Sequence, residues 1–113
     1  MVIELPWPPS VNHYWRRRGN TYFVSAEGKR YRDQVFCLTF DYRKHFAPED
    51  RLMVSIDAYP PDRRRRDLDN LLKGLLDSLQ YAEVYADDNQ IDFLAINRNA
   101  SLDSKVKVHI KKV

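Results

Sequence analysis

Cysteine, glycine and long apolar runs are scarce in this sequence, and each scarcity excludes a class of protein. The chain has one cysteine, Cys37, so it cannot form an intrachain disulfide framework. Its three histidines are scattered and no cysteine pair exists, which disfavours a zinc site. Only three glycines occur, and none belongs to a phosphate-cradling loop. We expect Cys37 to be a small core residue and not a nucleophile, since no histidine is placed to activate it.

No apolar run is long enough to span a membrane, and the first residues lack the apolar core of a signal peptide. We therefore expect a cytoplasmic protein in a reducing compartment. With 113 residues, of which 43% are hydrophobic, the chain is expected to form a single domain, residues 1–113, around one core.

Positive charge is in excess and is concentrated in blocks. Lysine and arginine number 19 against 16 acidic residues, and they cluster at Arg16–Arg18, Lys29–Arg32 and Arg63–Arg66. Blocks of this kind favour a polyanionic partner, such as nucleic acid, over an acidic small molecule. Two tryptophans, seven tyrosines and five phenylalanines are many for a chain of this size, so we expect some of them at the surface.

The most informative stretch combines an arginine run with closely spaced acids. Arg63–Arg66 leads directly into the motif Asp67-Leu68-Asp69-Asn70. Leucines then recur at helical spacing, which predicts a helix from Leu68 to about Tyr81 with one apolar stripe. The stripe consists of Leu68, Leu71, Leu72, Leu75, Leu76 and Leu79. Asp69, Lys73 and Asp77 fall on the opposite face, each one helical turn from the next.

Asp67 and Asp69 suggest a metal site. Carboxylates that converge on one point repel each other unless a cation lies between them, and the cation suited to such hard oxygen ligands is Mg²⁺ or Mn²⁺. A metal ion flanked by arginines is an arrangement that binds phosphates. A second acidic pair, Asp87-Asp88, lies beyond the leucine helix and could complete a site with three carboxylates.

Each of these residues also has a purely structural interpretation. Asp69 could be the N-cap of the leucine helix, and Lys73 could be an ordinary i,i+4 partner that contributes about 0.2–0.5 kcal/mol. Asp87-Asp88 could be a plain turn, because aspartate favours turns. The arginine run could be a solvated loop. Residue types alone leave the metal site and these alternatives open.

A second basic stretch, Val11–Gly19, interleaves aromatic residues with arginines. Tyr14 and Trp15 could stack on nucleic-acid bases while Arg16–Arg18 bind phosphates. The alternative is a surface loop whose two aromatic side chains pack into the core.

Periodicity predicts five strands and two helices, in the order strand, strand, helix, strand, helix, strand, strand. The strands are Met1–Leu5, Thr21–Val24, Leu52–Tyr59, Ile91–Arg98 and Lys105–Lys111, and the helices run from Ser25 to about Lys44 and from Leu68 to about Tyr81. Ile91–Arg98 is apolar on both faces around Phe93, so we expect it to be a central strand. The order predicts an α+β domain of two layers, in which two helices cover one face of a mostly antiparallel or mixed sheet.

Four segments form a recognisable set when they are taken in chain order. They are Leu5-Pro6-Trp7-Pro8-Pro9-Ser10, then Val24-Ser25-Ala26-Glu27-Gly28 with Tyr31-Arg32-Asp33, then Asp62-Arg63-Arg64-Arg65-Arg66-Asp67-Leu68-Asp69-Asn70 with Lys73, and finally Asp87-Asp88. Together they closely resemble the RusA family of Holliday junction resolvases. The resemblance covers about residues 3–96. Members often carry a glycine between the second helix and the acidic pair, where this chain has Tyr81-Ala82-Glu83-Val84-Tyr85-Ala86. The last strand matches only loosely.

The resemblance implies a RusA-like α+β fold and a homodimeric endonuclease, of bacterial or phage origin, that acts in DNA recombination and repair. Such an enzyme uses Mg²⁺, with Mn²⁺ as a possible substitute, to nick two symmetric strands of branched DNA, the four-way junction. The resemblance implies Asp67, Asp69 and Asp88 as the metal ligands. The resemblance also implies Lys73 as the further catalytic residue, and we expect it either to stabilise transition-state charge or to orient the attacking water. The residues assigned to DNA binding are Arg16, Arg17, Arg18, Arg63, Arg64, Arg65, Arg66 and Asn70.

Three other functions are open from the residues alone. One is a degenerate enzyme that is folded and dimeric but has Asp88 misaimed. A non-catalytic module that binds junctions or single strands would use the basic stretches and show no metal dependence. A Mg²⁺-dependent nuclease of another specificity would cut flaps or single strands, and only the family resemblance favours the junction.

Overall fold

The computed structural model describes residues 1–113. Its strands are β1 (Val2–Pro6), β2 (Trp15–Arg18), β3 (Thr21–Val24), β4 (Leu52–Tyr59), β5 (Ile91–Arg98) and β6 (Lys105–Lys112), and its helices are α1 (Val11–Tyr14), α2 (Ala26–Leu38) and α3 (Leu72–Tyr81). Short 3₁₀ turns lie at Phe40–Tyr42, Leu68–Leu71 and Asp88–Gln90. None of the helices is long and apolar enough to cross a membrane.

Four strands form the main sheet in the order β1-β6-β4-β5, and β2 and β3 form a separate two-stranded ribbon. β6 is antiparallel to both β1 and β4, whereas β4 and β5 are parallel and are connected through α3. Alternation along β4 buries Leu52, Val54 and Ile56 in the core shared with α2 and α3, since successive side chains of a strand point to opposite faces. The expected α+β architecture, a mixed sheet with two helices on one face, is confirmed.

The leucine stripe anchors α3 and the turn before it. Leu71, Leu75 and Leu79 are buried in the core, as their spacing of three or four residues predicts. Full burial of one leucine side chain stabilises a fold by about 1.5–3 kcal/mol, so the stripe fixes the residues on the other face of the helix as well. The first turn, Leu68–Leu71, is 3₁₀ and not α-helical.

β5 is an edge strand of the sheet, so the prediction that it lies at the centre is wrong. Phe93 is 50% exposed and Leu94 is 40% exposed, because β5 has a neighbouring strand on one side only. The strand order depends on contacts that are distant in sequence, since β6 returns to pair with the other side of β4. Local hydrophobicity does not reveal the order of the strands in the sheet. The free side of β5 leaves backbone groups that can pair with another chain.

Helix α2 is shorter than the sequence pattern predicts, and it ends at Leu38 instead of near Lys44. The Thr39 hydroxyl donates a hydrogen bond to the Val35 carbonyl oxygen at 2.7 Å, and the Thr39 backbone leaves helical geometry. The prediction that Cys37 is a core residue is also wrong, because its side chain is exposed. Cys37 lies two residues after the buried Val35 and therefore on the opposite side of the helix.

The predicted strand Thr21–Val24 is confirmed as β3, and its partner β2 lies where the sequence pattern suggests a loop. The ribbon turns at Gly19, whose φ of 60° lies in the left-handed region that glycine tolerates. Tyr14, immediately before the ribbon, is completely buried, and Trp15 is partly buried. Tyr14 therefore packs into the protein and is not available to stack on bases.

Candidate active site

The arginine run folds back on a single carboxylate, that of Asp62. Its Oδ1 accepts hydrogen bonds from the Arg64 backbone N–H at 2.9 Å and from Arg66 Nη1 at 2.7 Å, and its Oδ2 accepts one from Arg64 Nε at 3.2 Å. The bond from Arg66, followed by that from the Arg64 backbone, holds the pKa of Asp62 well below its usual range. Aspartate commonly folds a turn through a bond to the backbone two residues later. The run is thus an ordered turn, and sequence reasoning missed the residue that orders it.

Arg66 differs from the other arginines of this turn because it is partly buried. Its guanidinium lies 5.8 Å from the centre of the Trp7 ring, and its hydrogen bond to Asp62 raises its pKa. Arg98 of β5 donates a hydrogen bond to the Arg66 carbonyl oxygen and so ties the turn to the edge of the sheet. Arg63–Arg65 are exposed, which makes them the arginines available to phosphates.

An open cleft of about 930 Å³ lies between this turn and helix α2. Arg64–Arg66, Asp67 and Asn70 line one side of it, and Arg30 lines it from α2. The segment Trp7–Pro9 also borders the cleft. Basic and polar side chains thus surround a space beside Asp67, as a phosphate backbone requires.

Asp67 and Asp69 are both exposed at the start of the Leu68–Leu71 turn. Asp67 occupies the N-cap position, but its side chain makes no capping hydrogen bond. Asp69 lies inside the turn, so it is not the N-cap of the leucine helix, and no ion pair joins it to Lys73. The helix-capping hydrogen bond and the ion pair with Lys73 are therefore both absent, and the two carboxylates are free for a ligand.

Gln90 holds the acidic turn that follows α3. It is buried, and its Oε1 accepts hydrogen bonds from the N–H groups of Ala86 at 2.9 Å and Asp87 at 3.0 Å. The Asp87 carboxylate accepts a hydrogen bond from the Asn89 N–H at 2.9 Å and so caps the 3₁₀ turn. Asp87 therefore serves the turn itself, whereas the Asp88 carboxylate caps nothing.

Asp88 and Lys73 lie close enough to influence each other electrostatically. The Asp88 N–H donates a hydrogen bond to Gln80 Oε1 at 2.9 Å, which places the acidic turn against the end of α3. Partial burial, and then the charge of Asp87, raise the pKa of Asp88, whereas the positive charge of Lys73 acts in the opposite direction. Asp77 adds further negative charge. The fold thus gathers Asp88, Lys73 and Asp77 into one neighbourhood.

Tyr14 donates a hydrogen bond to the Asp77 carboxylate, a contact between α1 and α3 that sequence reasoning missed. Burial, together with this bond, raises the pKa of Tyr14 to about 12. Burial also raises the pKa of Tyr85, and the charges of Asp88 and Asp77 add to the effect. No local pattern could have linked Tyr14 to a residue 63 positions away.

In the chain, no three carboxylate, histidine or cysteine side chains are close enough to hold a metal ion. Asp67 lines the arginine cleft, Asp69 follows it on the same turn, and Asp88 lies on the turn beyond α3. The donor chemistry nevertheless fits a hard divalent cation, because the side chains are carboxylates and negative charge accumulates around Asp88. The assignment of these three residues as metal ligands stays a prediction.

The arginines assigned to DNA binding occupy two separate surfaces. Arg16–Arg18 are exposed on β2, and Arg63–Arg65 are exposed on the turn before Asp67. Buried and basic residues alternate along β6. Two lysines of its basic face, Lys105 and Lys107, pair with Glu4 at 3.3 and 3.8 Å and are therefore less available to another partner.

Fold and site together define a small mixed α+β protein in which basic side chains line a cleft beside Asp67, a combination suited to nucleic-acid chemistry. The sequence profile of the family described as Endodeoxyribonuclease RusA matches residues 6–111. The chain therefore belongs to the RusA endodeoxyribonuclease family.

Individual relatives agree with this membership. A protein named Crossover junction endodeoxyribonuclease rusA, from Enterobacteria phage HK97, is 45% identical over 98 residues, which cover 87% of this chain and 82% of the relative. A protein named Crossover junction endodeoxyribonuclease RusA, from Escherichia coli (strain K12), is 38% identical over 113 residues, which cover 98% of this chain and 93% of the relative. The resemblance recognised in the motifs is confirmed, and the family match extends into the last strand.

Proposed function

We propose that this chain is a Holliday junction resolvase, an endonuclease that nicks two symmetric strands of a four-way DNA junction. Its family is one of endodeoxyribonucleases, and the relatives from phage HK97 and Escherichia coli are named for crossover junctions. The observation that carries the proposal is the cleft in which the exposed Arg64 and Arg65 stand beside Asp67, since it joins phosphate-binding groups to a candidate catalytic carboxylate.

Mg²⁺ is the proposed cofactor, with Mn²⁺ as a substitute, and Asp67, Asp69 and Asp88 are its proposed ligands. When bound, the ion would polarise the scissile phosphate and lower the pKa of an attacking water. Carboxylate oxygens suit such an ion. The negative charge that accumulates around Asp88 supports a cation at this place.

Lys73 is the proposed fourth catalytic residue. Its exposed ammonium group lies near enough to Asp88 to counteract the rise in the pKa of that carboxyl. From this position it either stabilises negative charge on the pentacovalent transition state or orients the water. The buried leucines of α3 anchor the helix from which Lys73 projects, so the backbone position of Lys73 is fixed.

A homodimer is part of the proposal, because two symmetric nicks need two active sites. The free edge of β5, with Phe93 and Leu94 exposed, supports association with a second chain. Arg63–Arg65 and Arg16–Arg18 bind phosphates of the junction arms, and Asn70 contacts the DNA strand in the cleft beside Asp67.

The test is incubation of a labelled synthetic four-way junction with the chain in Mg²⁺, beside EDTA and a linear duplex built from the same arms. Paired symmetric nicks that require the metal and spare the duplex are the expected result. Cleavage of flaps or single strands with the junction left intact would show a nuclease of another specificity and would sink the proposal.

A non-catalytic junction-binding module is the second candidate, and one observation favours it. No three metal-binding side chains cluster within the protomer. This candidate predicts tight junction binding without nicks in Mg²⁺ or Mn²⁺, and an affinity that falls with salt at a log–log slope of about 0.9 per phosphate contacted. The same cleavage assay, run beside a binding titration, separates the two.

A further inference from the structure

Two large aromatic side chains protrude from the ribbon formed by β2 and β3. Tyr22 is 64% exposed and Phe23 is 42% exposed. Exposed aromatic residues that stand alone need no explanation. These two are adjacent, however, and in the register of the ribbon they lie opposite Arg17 and Arg16. The proposed function uses only the arginines, so the aromatic side chains have no role in it.

Alternation puts one arginine and one aromatic side chain on each face of the β2–β3 ribbon. Arg17 and Tyr22 share one face, and the Arg17 guanidinium lies 5.6 Å from the centre of the Tyr22 ring. Arg16 and Phe23 are paired on the other face. An arginine beside an aromatic ring is the combination that binds unpaired nucleic acid, since the ring stacks on a base while the guanidinium holds a phosphate.

The base of the ribbon is fixed to the helices that carry the candidate site. The Ser25 N–H donates a hydrogen bond to the Tyr14 carbonyl oxygen at 2.8 Å, which joins the two ends of the ribbon. The Ser25 hydroxyl accepts a hydrogen bond from the Gly28 N–H at 2.9 Å and so caps α2. A Cβ atom at Gly28 would lie 2.7 Å from the Tyr14 carbonyl oxygen, so this approach requires glycine. Tyr14 also binds Asp77 of α3, and a contact made by the ribbon is therefore held in place relative to the site.

Tyr22 and Phe23 extend from this base by two or three strand residues, or about 7–10 Å at the rise of a β-strand. A base inside a continuous duplex has both faces covered by its neighbours, so a protruding ring finds no free face there. At the centre of a four-way junction the helices are interrupted, and base pairs at the exchange point offer a face. The free energy needed to unstack two neighbouring base pairs is also lowest where stacking is already interrupted.

We propose that the β2–β3 ribbon recognises the branch point of the junction. Tyr22 and Phe23 stack on base faces exposed there, and Arg16 and Arg17 bind the phosphates on either side. The inference rests on the proposed function, because it states how the same chain selects a junction over a duplex. Stacking is tolerant of sequence, so the contact confers structural selectivity without reading bases.

The test compares the double variant Tyr22→Ala/Phe23→Ala with the unaltered chain. Affinities for a four-way junction and for a linear duplex of the same arms are measured in EDTA, where no cleavage occurs. Junction affinity should fall by at least about fivefold per ring removed, while duplex affinity is unchanged. Tyr22→Phe keeps the ring and should bind the junction normally. Phe40→Ala removes a phenylalanine that is 57% exposed outside the ribbon, and as the matched control it should bind both DNAs normally.

A second readout is the fluorescence of 2-aminopurine placed at the branch point, which a merely structural role would not move. It should be quenched by the unaltered chain and by Tyr22→Phe, but not by the double variant. Equal losses of junction and duplex affinity, or an unchanged junction affinity in the double variant, would overturn the inference. If the unaltered chain neither binds nor nicks junctions, the proposed function fails. If it nicks them while the double variant binds them normally, the ribbon proposal alone fails.

Discussion

The hydroxyl of Tyr14 donates a hydrogen bond to the carboxylate of Asp77. The bond connects α1, at the base of the β2–β3 ribbon, to the face of α3 that also carries Lys73. Tyr14 is completely buried and Asp77 is partly exposed, so the tyrosine reaches from the core to the margin of the candidate site. The two regions that we propose to contact DNA are thereby joined through one side-chain contact.

Tyr14→Phe removes this hydrogen bond and keeps the ring. We expect the free energy of unfolding to fall by about 1.5–3 kcal/mol, the range for hydrogen bonds to charged groups. Denaturant unfolding measures the difference. Tyr22→Phe, which removes a hydroxyl from an exposed side chain, is the control and should leave the stability unchanged. An unaltered unfolding free energy in Tyr14→Phe would show that the bond does not stabilise the fold.

Alkaline pH should destabilise the folded protein, because the fold favours the protonated form of Tyr14. The fold raises the pKa of Tyr14 from 10.0 to about 12, so the folded chain holds this proton more tightly than the unfolded chain. The resulting stabilisation is complete below pH 10 and is lost as the pH rises toward 12. Burial raises the pKa of Tyr31 and of Tyr85 as well. Denaturant unfolding at several pH values should show that the unfolding free energy falls less steeply with pH in Tyr14→Phe than in the unaltered chain. Parallel plots of unfolding free energy against pH would contradict this.

Glu83 occupies the left-handed region with a φ of 60°, in the segment between α3 and the acidic turn. Its carboxylate pairs with Arg43 at 3.3 Å on the surface. We expect Glu83→Gly to be more stable than Glu83→Ala by about 1 kcal/mol, because both lose the ion pair and only alanine retains the backbone strain. Thermal unfolding of the two variants measures this. Junction cleavage should persist in Glu83→Gly, and its loss would show that the acidic turn needs Glu83 itself.

Arg65 and Arg66 are neighbours with different expected roles. Arg65 is exposed and makes no hydrogen bond within the protein, so Arg65→Ala should leave stability unchanged. The slope of log affinity against log salt should then fall by about 0.9, the effect of one lost phosphate contact. Arg66→Ala removes the bond to Asp62 and the contact with Trp7. It should disorder the turn and reduce cleavage, and Arg66→Lys should not restore it, because lysine lacks the planar fork of donors.

The elements that one buried face defines were predictable from the sequence. The leucine stripe of α3 and the alternation of β4 and β6 are confirmed. An element with one buried face has a regular spacing of apolar residues, and that spacing is visible in the local sequence. β5 was placed wrongly because its neighbours depend on how distant strands are ordered. β2 was missed because Arg16–Arg18 lack the apolar alternation of a half-buried strand.

The candidate site also has a part that the local sequence predicts and a part that depends on tertiary contacts. Asp67, Asp69 and Lys73 lie on one continuous segment, so their spacing alone groups them. The position of Asp88 relative to Lys73 depends on hydrogen bonds from the acidic turn to the side chains of Gln80 and Gln90. Those bonds join residues on either side of a turn. The residues alone suggested only that the pair Asp87-Asp88 could complete the site, and the family resemblance singled out Asp88.

The most direct test of the carboxylate site measures junction cleavage and junction binding together in Asp69→Asn. We expect paired nicking in Mg²⁺ to be abolished. Junction affinity should be equal to or higher than that of the unaltered chain, because the amide no longer repels phosphate. Asp67→Asn and Asp88→Asn should behave alike, whereas Asp41→Asn, at an exposed acid after α2, should nick normally. An Asp69→Asn protein that nicks junctions at the normal rate would contradict the central claim, that these carboxylates form the catalytic site.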